Sequence, residues 1–548
     1  MTSKRPDSDR RLVPRWRSFT ESVNAKELTT EKATSSATQI AVPKSAHFDA
    51  LLDEWRTNKS LEIAADLLGS AVALGRSKEA DPQAAAELVV TTKTLPLLSS
   101  LANRTLAGTI GQSQNPEQIS FDPDEARATL RSQLAAHKYR VRMYPKNPIS
   151  WVDMARLYTA LGQEDKAYSA LLVALSLAPN NRFVLRCAAK FFVHAHTVGS
   201  AGHTGGIDEG LHYLRHSRAL KLDPWIMAAE ISLATILGSD PASLKLGRVT
   251  ATADDLHPRD LSELNGALAT FGLYESGGGR PGKLFKKSLR SPTENAVAQA
   301  QWASNKYKLF QLPADTFEHL TTPAFEAQAL KAREEHRWSD AIEACRSWSA
   351  ADPTSTRPLI MGSFIADVAM EDGFAAADFC ERASLIAPNE HWIQNNLAVA
   401  YAYAGDLDLA REHSLRSQQV HDLTPAAKAV RVATKGLIAY RAGNPAEGFL
   451  AYAEALQMDA ARSDFGLSAL LAWHMAREEA IVDPAGVRDF ADVLWKATSR
   501  LPIPELEGLR STVENRISTA ASQTSVANNS SLLPKVNDVV PDLFRRSK

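Results

Sequence analysis

Cysteine is nearly absent from this sequence: Cys187, Cys345 and Cys380 are the only three in 548 residues. They lie far apart within helical patterns, so neither a disulfide framework nor a zinc-ligand spacing can be assembled from them. The expected role of each is a small buried apolar side chain in a reducing compartment. Long apolar runs are also missing. No stretch approaches the roughly eighteen apolar residues of a membrane span, and the start carries no apolar segment of signal-peptide length. An Arg- and Ser-rich beginning resembles a mitochondrial address, but Asp7, Asp9 and Glu21 interrupt it, so the expectation is a soluble, cytoplasmic protein. Apolar residues seldom alternate with polar ones, which leaves little that reads as strand. An excess of one charge is absent as well: 62 Lys and Arg against 63 Asp and Glu give a net −1, with no global pull toward nucleic acid or acidic membranes. No GxSxG, HExxH, kinase set or paired-carboxylate arrangement appears, and no stretch leaves room for an α/β catalytic domain. A non-enzymatic protein without cofactor is expected.

What is present is helical periodicity at a length too great for one ordinary core. A repeat array escapes that limit, because each unit buries its apolar face on the next. Residues 1–45 are polar and read as a mobile basic arm, with Lys4, Arg5, Arg10, Arg11, Arg15 and Arg17 facing only Asp7 and Asp9 among the first seventeen residues. Within it RLVPRWRSF mixes arginine with Leu12, Val13, Trp16 and Phe19, a composition able to dock on a partner or on the chain itself. Residues 46–147 read as an N-terminal helical region. Its clearest start is Asp122-Pro123-Asp124-Glu125, where an Asp cap, a first-turn proline and a following Glu satisfy exposed amide donors. Residues 461–517 read as capping helices, from LSALLAWHMAREEA and VRDFADVLWKATSR. Residues 518–548 read as a Ser/Asn-rich linker ending in the apolar-basic tail LLPKVNDVVPDLFRRSK.

Residues 148–460 carry the decisive pattern. In NPISWVDMARLYTALGQEDKAYSALLVALSLAPNN, Trp151, Met154, Ala155 and Tyr158 share one helical stripe. Gly162 follows at the turn, Ala167, Leu171 and Ala174 form a second stripe, and Pro179 ends it. Small residues let two antiparallel helices approach closely, while Trp and Tyr fill the space between adjacent pairs. Weaker copies follow: LRCAAKFF with GLHYLRHSRALKLDP across an insertion at 197–206, a degenerate copy over 261–292 with the insertion 277–282, and one marked by Phe325, Ala329, Ala341 and Pro353. Further copies are marked by Ala376, Ala383 and Pro388, by Leu397, Ala398, Tyr401, Gly405 and Ala410, and by Gly436, Gly443, Tyr452 and Ala455. These intervals resemble the tetratricopeptide repeat (TPR) family, with Met154 for the usual Leu and Ala155 for the usual Gly. The resemblance implies an all-α fold, a tetratricopeptide-type α-solenoid of helix-turn-helix repeats. It also implies a partner-binding face formed by the first helices. On that face it places Trp392, Asn395, Val399 and Tyr403, then Leu437, Tyr440 and Arg441, with Met361 and Ile365 before them; aromatics with Arg and Asn have the composition of binding hot spots. The Lys/Asn pattern with which some family members clamp a carboxylate is not evident, since Val152 and Arg156 stand in the first helix of the best copy.

Two clusters carry the letters of other chemistries. His194, His196, His203, His212 and His216 fall close together, and the four-residue spacing of His212 and His216 can present two imidazoles to one ion. No Cys or acidic cluster accompanies them, so a polar insertion without metal is expected. Gly277–Lys283 spells GGGRPGK, yet a helical pattern precedes it and Leu284, not Ser or Thr, follows, which fits a loosened turn better than a phosphate loop. The expected function is therefore a protein–protein interaction scaffold or adaptor. Its alternatives are a regulatory or neutralising subunit of a partner enzyme or toxin, and a nucleic-acid-associated protein whose basic arm neutralises phosphates while Trp16 stacks on a base. Partner identity and oligomeric state are not legible. The tail LLPKVNDVVPDLFRRSK is itself a candidate occupant of the groove.

Overall fold

Proline sets where many of the helices begin. At Asn147-Pro148, Asp223-Pro224, His257-Pro258, Thr424-Pro425 and Asp483-Pro484 the capping side chain accepts a backbone N–H of the first turn, and proline, which has no N–H to leave unpaired, takes a first-turn position. The computed structural model describes residues 13–16, 44–73, 79–92, 102, 105–106 and 123–523. The last range has breaks at 198–205, 254, 275–279, 313–315, 317–323, 389, 420–423, 461–464 and 502. Outside the described residues lie the rest of the basic arm, His203, the glycines at 277–279, and the tail from 524 on. Among the described residues there are 24 α-helices and no strand, and no helix is long and apolar enough to cross a membrane.

The chain divides into two units, residues 20–120 and residues 1–19 together with 121–548. The smaller holds α1 (Lys44–Thr57), α2 (Leu61–Ala73) and α3 (Ala80–Thr91), packed around Phe48, Trp55, Leu67, Leu68 and Val89. The larger begins its helices with α4 (Pro123–Met143), which packs on α5.

From α5 onward the larger unit is an array of consecutive helix pairs, each packed on its neighbours. The pairs are α5 (Pro148–Ala160) with α6 (Glu164–Leu177), α7 (Arg182–Thr197) with α8 (Ile207–His216), α9 (Pro224–Leu237) with the short α10 (Leu244–Thr250), and α11 (Pro258–Gly272) with α12 (Pro281–Ser288). A first helix, α13 (Glu294–Tyr307), precedes α14 (Phe325–Glu334) with α15 (Trp338–Ala351) and α16 (Arg357–Val368) with α17 (Gly373–Ile386). Then come α18 (His391–Ala404) with α19 (Leu407–Gln418), and α20 (Pro425–Arg441) with α21 (Pro445–Ala460). The closing helices are α22 (Phe465–Val482), α23 (Pro484–Thr498) and α24 (Leu506–Gln523).

The small-residue positions do what the repeat pattern requires. At Gly436 a Cβ would stand 2.9 Å from the Gly448 carbonyl oxygen and 2.9 Å from the Tyr452 ring, so α20 and α21 approach too closely for any side chain there. Trp151 is only half-buried, its indole N–H donating to the Pro145 carbonyl at 2.8 Å, while Tyr158 is buried. The three cysteines are buried, and burial pushes their thiols up, Cys345 and Cys380 to about 12.

Candidate functional site

Four helices present the same register to one cavity of about 610 Å3. Ile360, Ser363, Phe364 and Asp367 come from α16, and Trp392, Asn395, Asn396 and Val399 from α18. Val430, Ala433, Thr434 and Leu437 come from α20, and Leu467, Leu470, Leu471 and His474 from α22. Each set is an i, i+3, i+4, i+7 stripe, the one face of a helix that stays on a single side over two turns. In α18 the rest of the helix explains why this stripe is left over. Glu390 caps its start by accepting from the Ile393 N–H, Gly405 ends it at φ +87°, and Ile393, Leu397, Ala398 and Ala400 are consumed by packing. His196 and Thr197, at the end of α7, also reach the cavity.

Of the seven residues named from sequence, the cavity gathers four: Trp392, Asn395, Val399 and Leu437. Trp392 is 36% exposed, whereas Asn395 is buried and its Oδ1 accepts from the Thr434 hydroxyl at 3.0 Å. The other three sit beyond its floor in a polar network. The Tyr403 ring centroid lies 4.7 Å from the guanidinium of Arg441 and 4.2 Å from that of Arg477, which also donates to the Tyr403 hydroxyl. Arg441 pairs with Glu478 at 3.0 Å and with Glu371 at 3.5 Å. The Tyr440 hydroxyl donates to Glu479 inside the protein. Met361 packs on neighbouring helices and Ile365 is fully buried, so α16 faces the cavity one step away from them, with Ile360 and Phe364.

Sequence reasoning passed over Phe364, Asp367, Asn396 and the whole α22 wall. The signal is present as Leu467, Leu470, Leu471 and His474, but a stripe of this kind fits a capping helix equally well. Asp367 and His474 both bind fully buried Arg477. Asp367 accepts from it through its carbonyl at 2.9 Å and its carboxylate at 3.3 Å, and His474 Nδ1 lies 2.9 Å from the guanidinium. Burial pushes the Asp367 carboxyl above its ordinary range, which the charge of Arg477 offsets only in part. Burial and then Arg477 hold His474 well below the usual histidine value, so its imidazole is neutral. Burial opposes the charge on Arg477, but Tyr403, Asp367 and Glu478 more than compensate and raise its pKa.

The other clusters resolve into local contacts. His212 and His216 stack with centroids 4.0 Å apart, and His216 Nδ1 lies 2.8 Å from the His212 carbonyl of its own helix. Buried His194 lies 3.9 Å from Glu164. No group of three or more His, Cys, Asp or Glu among the described residues is arranged to hold a metal. Helix α11 precedes the GGGRPGK letters, and Lys283 lies within α12.

A second feature lies elsewhere in the same unit. Four residues of the arm, Val13–Trp16, run without regular structure against first helices from distant pairs. The Asn295 side chain donates to the Val13 carbonyl at 3.0 Å, Arg15 pairs with Glu326 and Asp352, and Trp16 is 1% exposed, edge-on to Phe191.

No protein-family model and no curated protein matches the chain. Among solved structures it is similar to yeast Tom70, at 11% identity over 88% of this chain and 98% of that one, with a TM-score of 0.30. It is also similar to Naa15/Naa10 bound to HypK-THB, at 11% identity over 92% of this chain and 80% of that one, with a TM-score of 0.24.

Proposed function

We propose that this chain is a tetratricopeptide-type scaffold that holds a segment of a partner protein in the cavity between α16, α18, α20 and α22. The observation that carries this reading is the shared stripe: four alternate helices turn the same i, i+3, i+4, i+7 face toward one space. The walls are mixed in the way peptide grooves require. Phe364, Val399, Leu467 and Leu470 offer apolar area, and Asn396 offers a hydrogen-bonding amide to a partner's backbone. Trp392, half-exposed at the rim, supplies the large rigid contact typical of a hot spot. Within this reading Tyr403, Tyr440 and Arg441 support the floor and do not meet the partner. The nucleic-acid alternative is weakened because Trp16 is buried and Arg15 is paired, which removes the ring and one cation on which it relied.

The test is affinity capture with the wild-type chain and with Trp392→Ala/Val399→Arg, compared by quantitative mass spectrometry. A partner seated in the cavity falls at least about tenfold in the variant, the equivalent of roughly 1.4 kcal/mol. Equal capture by a variant with unchanged melting temperature refutes the reading. A chain truncated before Leu532 measures the rival occupant: if the tail fills the cavity, its removal raises partner capture.

A further inference from the structure

The arm segment is held like a ligand. Its backbone makes no regular structure with the helices around it; among the described residues a hydrogen bond from Asn295 and the side chains of Val13, Arg15 and Trp16 hold it. Arg15 enters an acidic-aromatic cleft where Glu326 and Asp352 are buried and where its guanidinium stands 5.6 Å from the centre of the Trp348 ring. Trp16 fills the neighbouring apolar space against Phe191. The cleft is already built around charge. Arg357 pairs with Glu326 and lies 5.3 Å from the Trp348 centroid, and Lys190 stands 3.6 Å from Asp352. Burial pushes the Glu326 and Asp352 carboxyls up, but Arg357, Lys190 and Arg15 outweigh it, so both stay ionised and below the usual range.

These partners come from α7, α13, α14 and the end of α15, and none is near residues 13–16 in sequence. Because the segment belongs to the same chain, tethering adds to these contacts an effective concentration in roughly the millimolar range. We infer that the cleft of Phe191, Asn295, Glu326, Trp348 and Asp352 is a second recognition site. It takes extended segments with an arginine followed by an aromatic residue, and Arg15-Trp16 of the same chain occupy it in cis. A partner segment of that chemistry enters by displacing the arm. This site is separate from the cavity of α16, α18, α20 and α22, and its test does not depend on that reading.

The experiment uses the full chain and a fluorescent peptide of sequence RRLVPRWRSF, residues 10–19, followed by anisotropy. In wild type the arm blocks the site. In Arg15→Ala/Trp16→Ala the site is open, and the peptide binds at least about tenfold tighter, because the tethered competitor is gone. Adding Glu326→Gln to the double variant removes that gain. A folded double variant that binds the peptide no better than wild type overturns the inference, as does a gain that survives Glu326→Gln. If the double variant does not fold, a protease site placed between residues 26 and 40 of the wild-type chain opens the same question. Cleavage must then allow labelled peptide to exchange into the cleft, and failure to exchange overturns the inference equally.

Discussion

Tyr403 shows how one composition serves two purposes. An aromatic beside arginine reads from sequence as a binding hot spot, and it reads equally as an internal cation–π stack. In the structure the ring contacts both Arg441 and Arg477, with burial raising its hydroxyl well above the ordinary tyrosine value. Tyr403→Ala therefore lowers the unfolding free energy by about 3–5 kcal/mol in urea titration, because it opens a cavity beside buried charge. Trp392→Ala, at the exposed rim, changes stability by less than about 1.5 kcal/mol. His474 gives a pH signature. A histidine depressed in the folded state stays neutral there while the unfolded chain takes up a proton. Its contribution is full above the unfolded value near 6.5 and is lost as pH falls below that, by at most about 1.4 kcal/mol per pH unit. Asp367 and Glu479, both raised by burial, oppose this as the pH falls further. His474→Gln keeps an acceptor for Arg477 and should flatten the decline in stability as pH falls from about 6.5 to 5. An unchanged slope would mean that His474 titrates normally.

At the scale of the element, close approach decides stability. Gly436→Val forces a side chain against the Gly448 carbonyl, which cannot move without parting α20 from α21, and costs about 1–3 kcal/mol. Gly405→Ala meets no neighbour but must hold φ +87°, so its loss is about 1 kcal/mol and comes from backbone strain alone. Equal losses at the two sites, measured by thermal or urea unfolding, would contradict this account of the pairs. The same logic explains what could be read beforehand. Pairs with a tight turn glycine and small facing residues, such as α5–α6, α18–α19 and α20–α21, were legible. Helix α9 was not, because it is buried on every side, including Glu230, which accepts from Ser243 and pairs with Arg215. Its second helix is only seven residues long, so no repeat signature formed. Helix α13 lacked a recognisable partner after it. In α16 the apolar residues Met361 and Ile365 mark the packed face, while the cavity takes the mixed stripe beside it.

Across the whole array, the first helices do two kinds of work within the larger unit. Those of α7, α13 and α14, with the end of α15, hold an irregular piece of the chain by an ion pair and a buried ring, and those of α16, α18 and α20, joined by α22, leave a cavity with a mixed lining. The cavity-facing stripes of α18 and α20 were legible as one face because the repeat pattern orients them. Its far wall was not, since nothing in the periodicity of α22 separates a cap from a groove-lining helix. The central claim is that a partner occupies the space these four helices share. The most direct measurement is photo-crosslinking from two positions in the full chain: Val399, which lines the cavity, and Leu415 on α19, which is 61% exposed and is not among the lining residues. The account predicts partner peptides crosslinked through residue 399 and none through 415. Partner adducts through 415 with none through 399, or adducts from 399 confined to the chain's own residues 532–548, would contradict it.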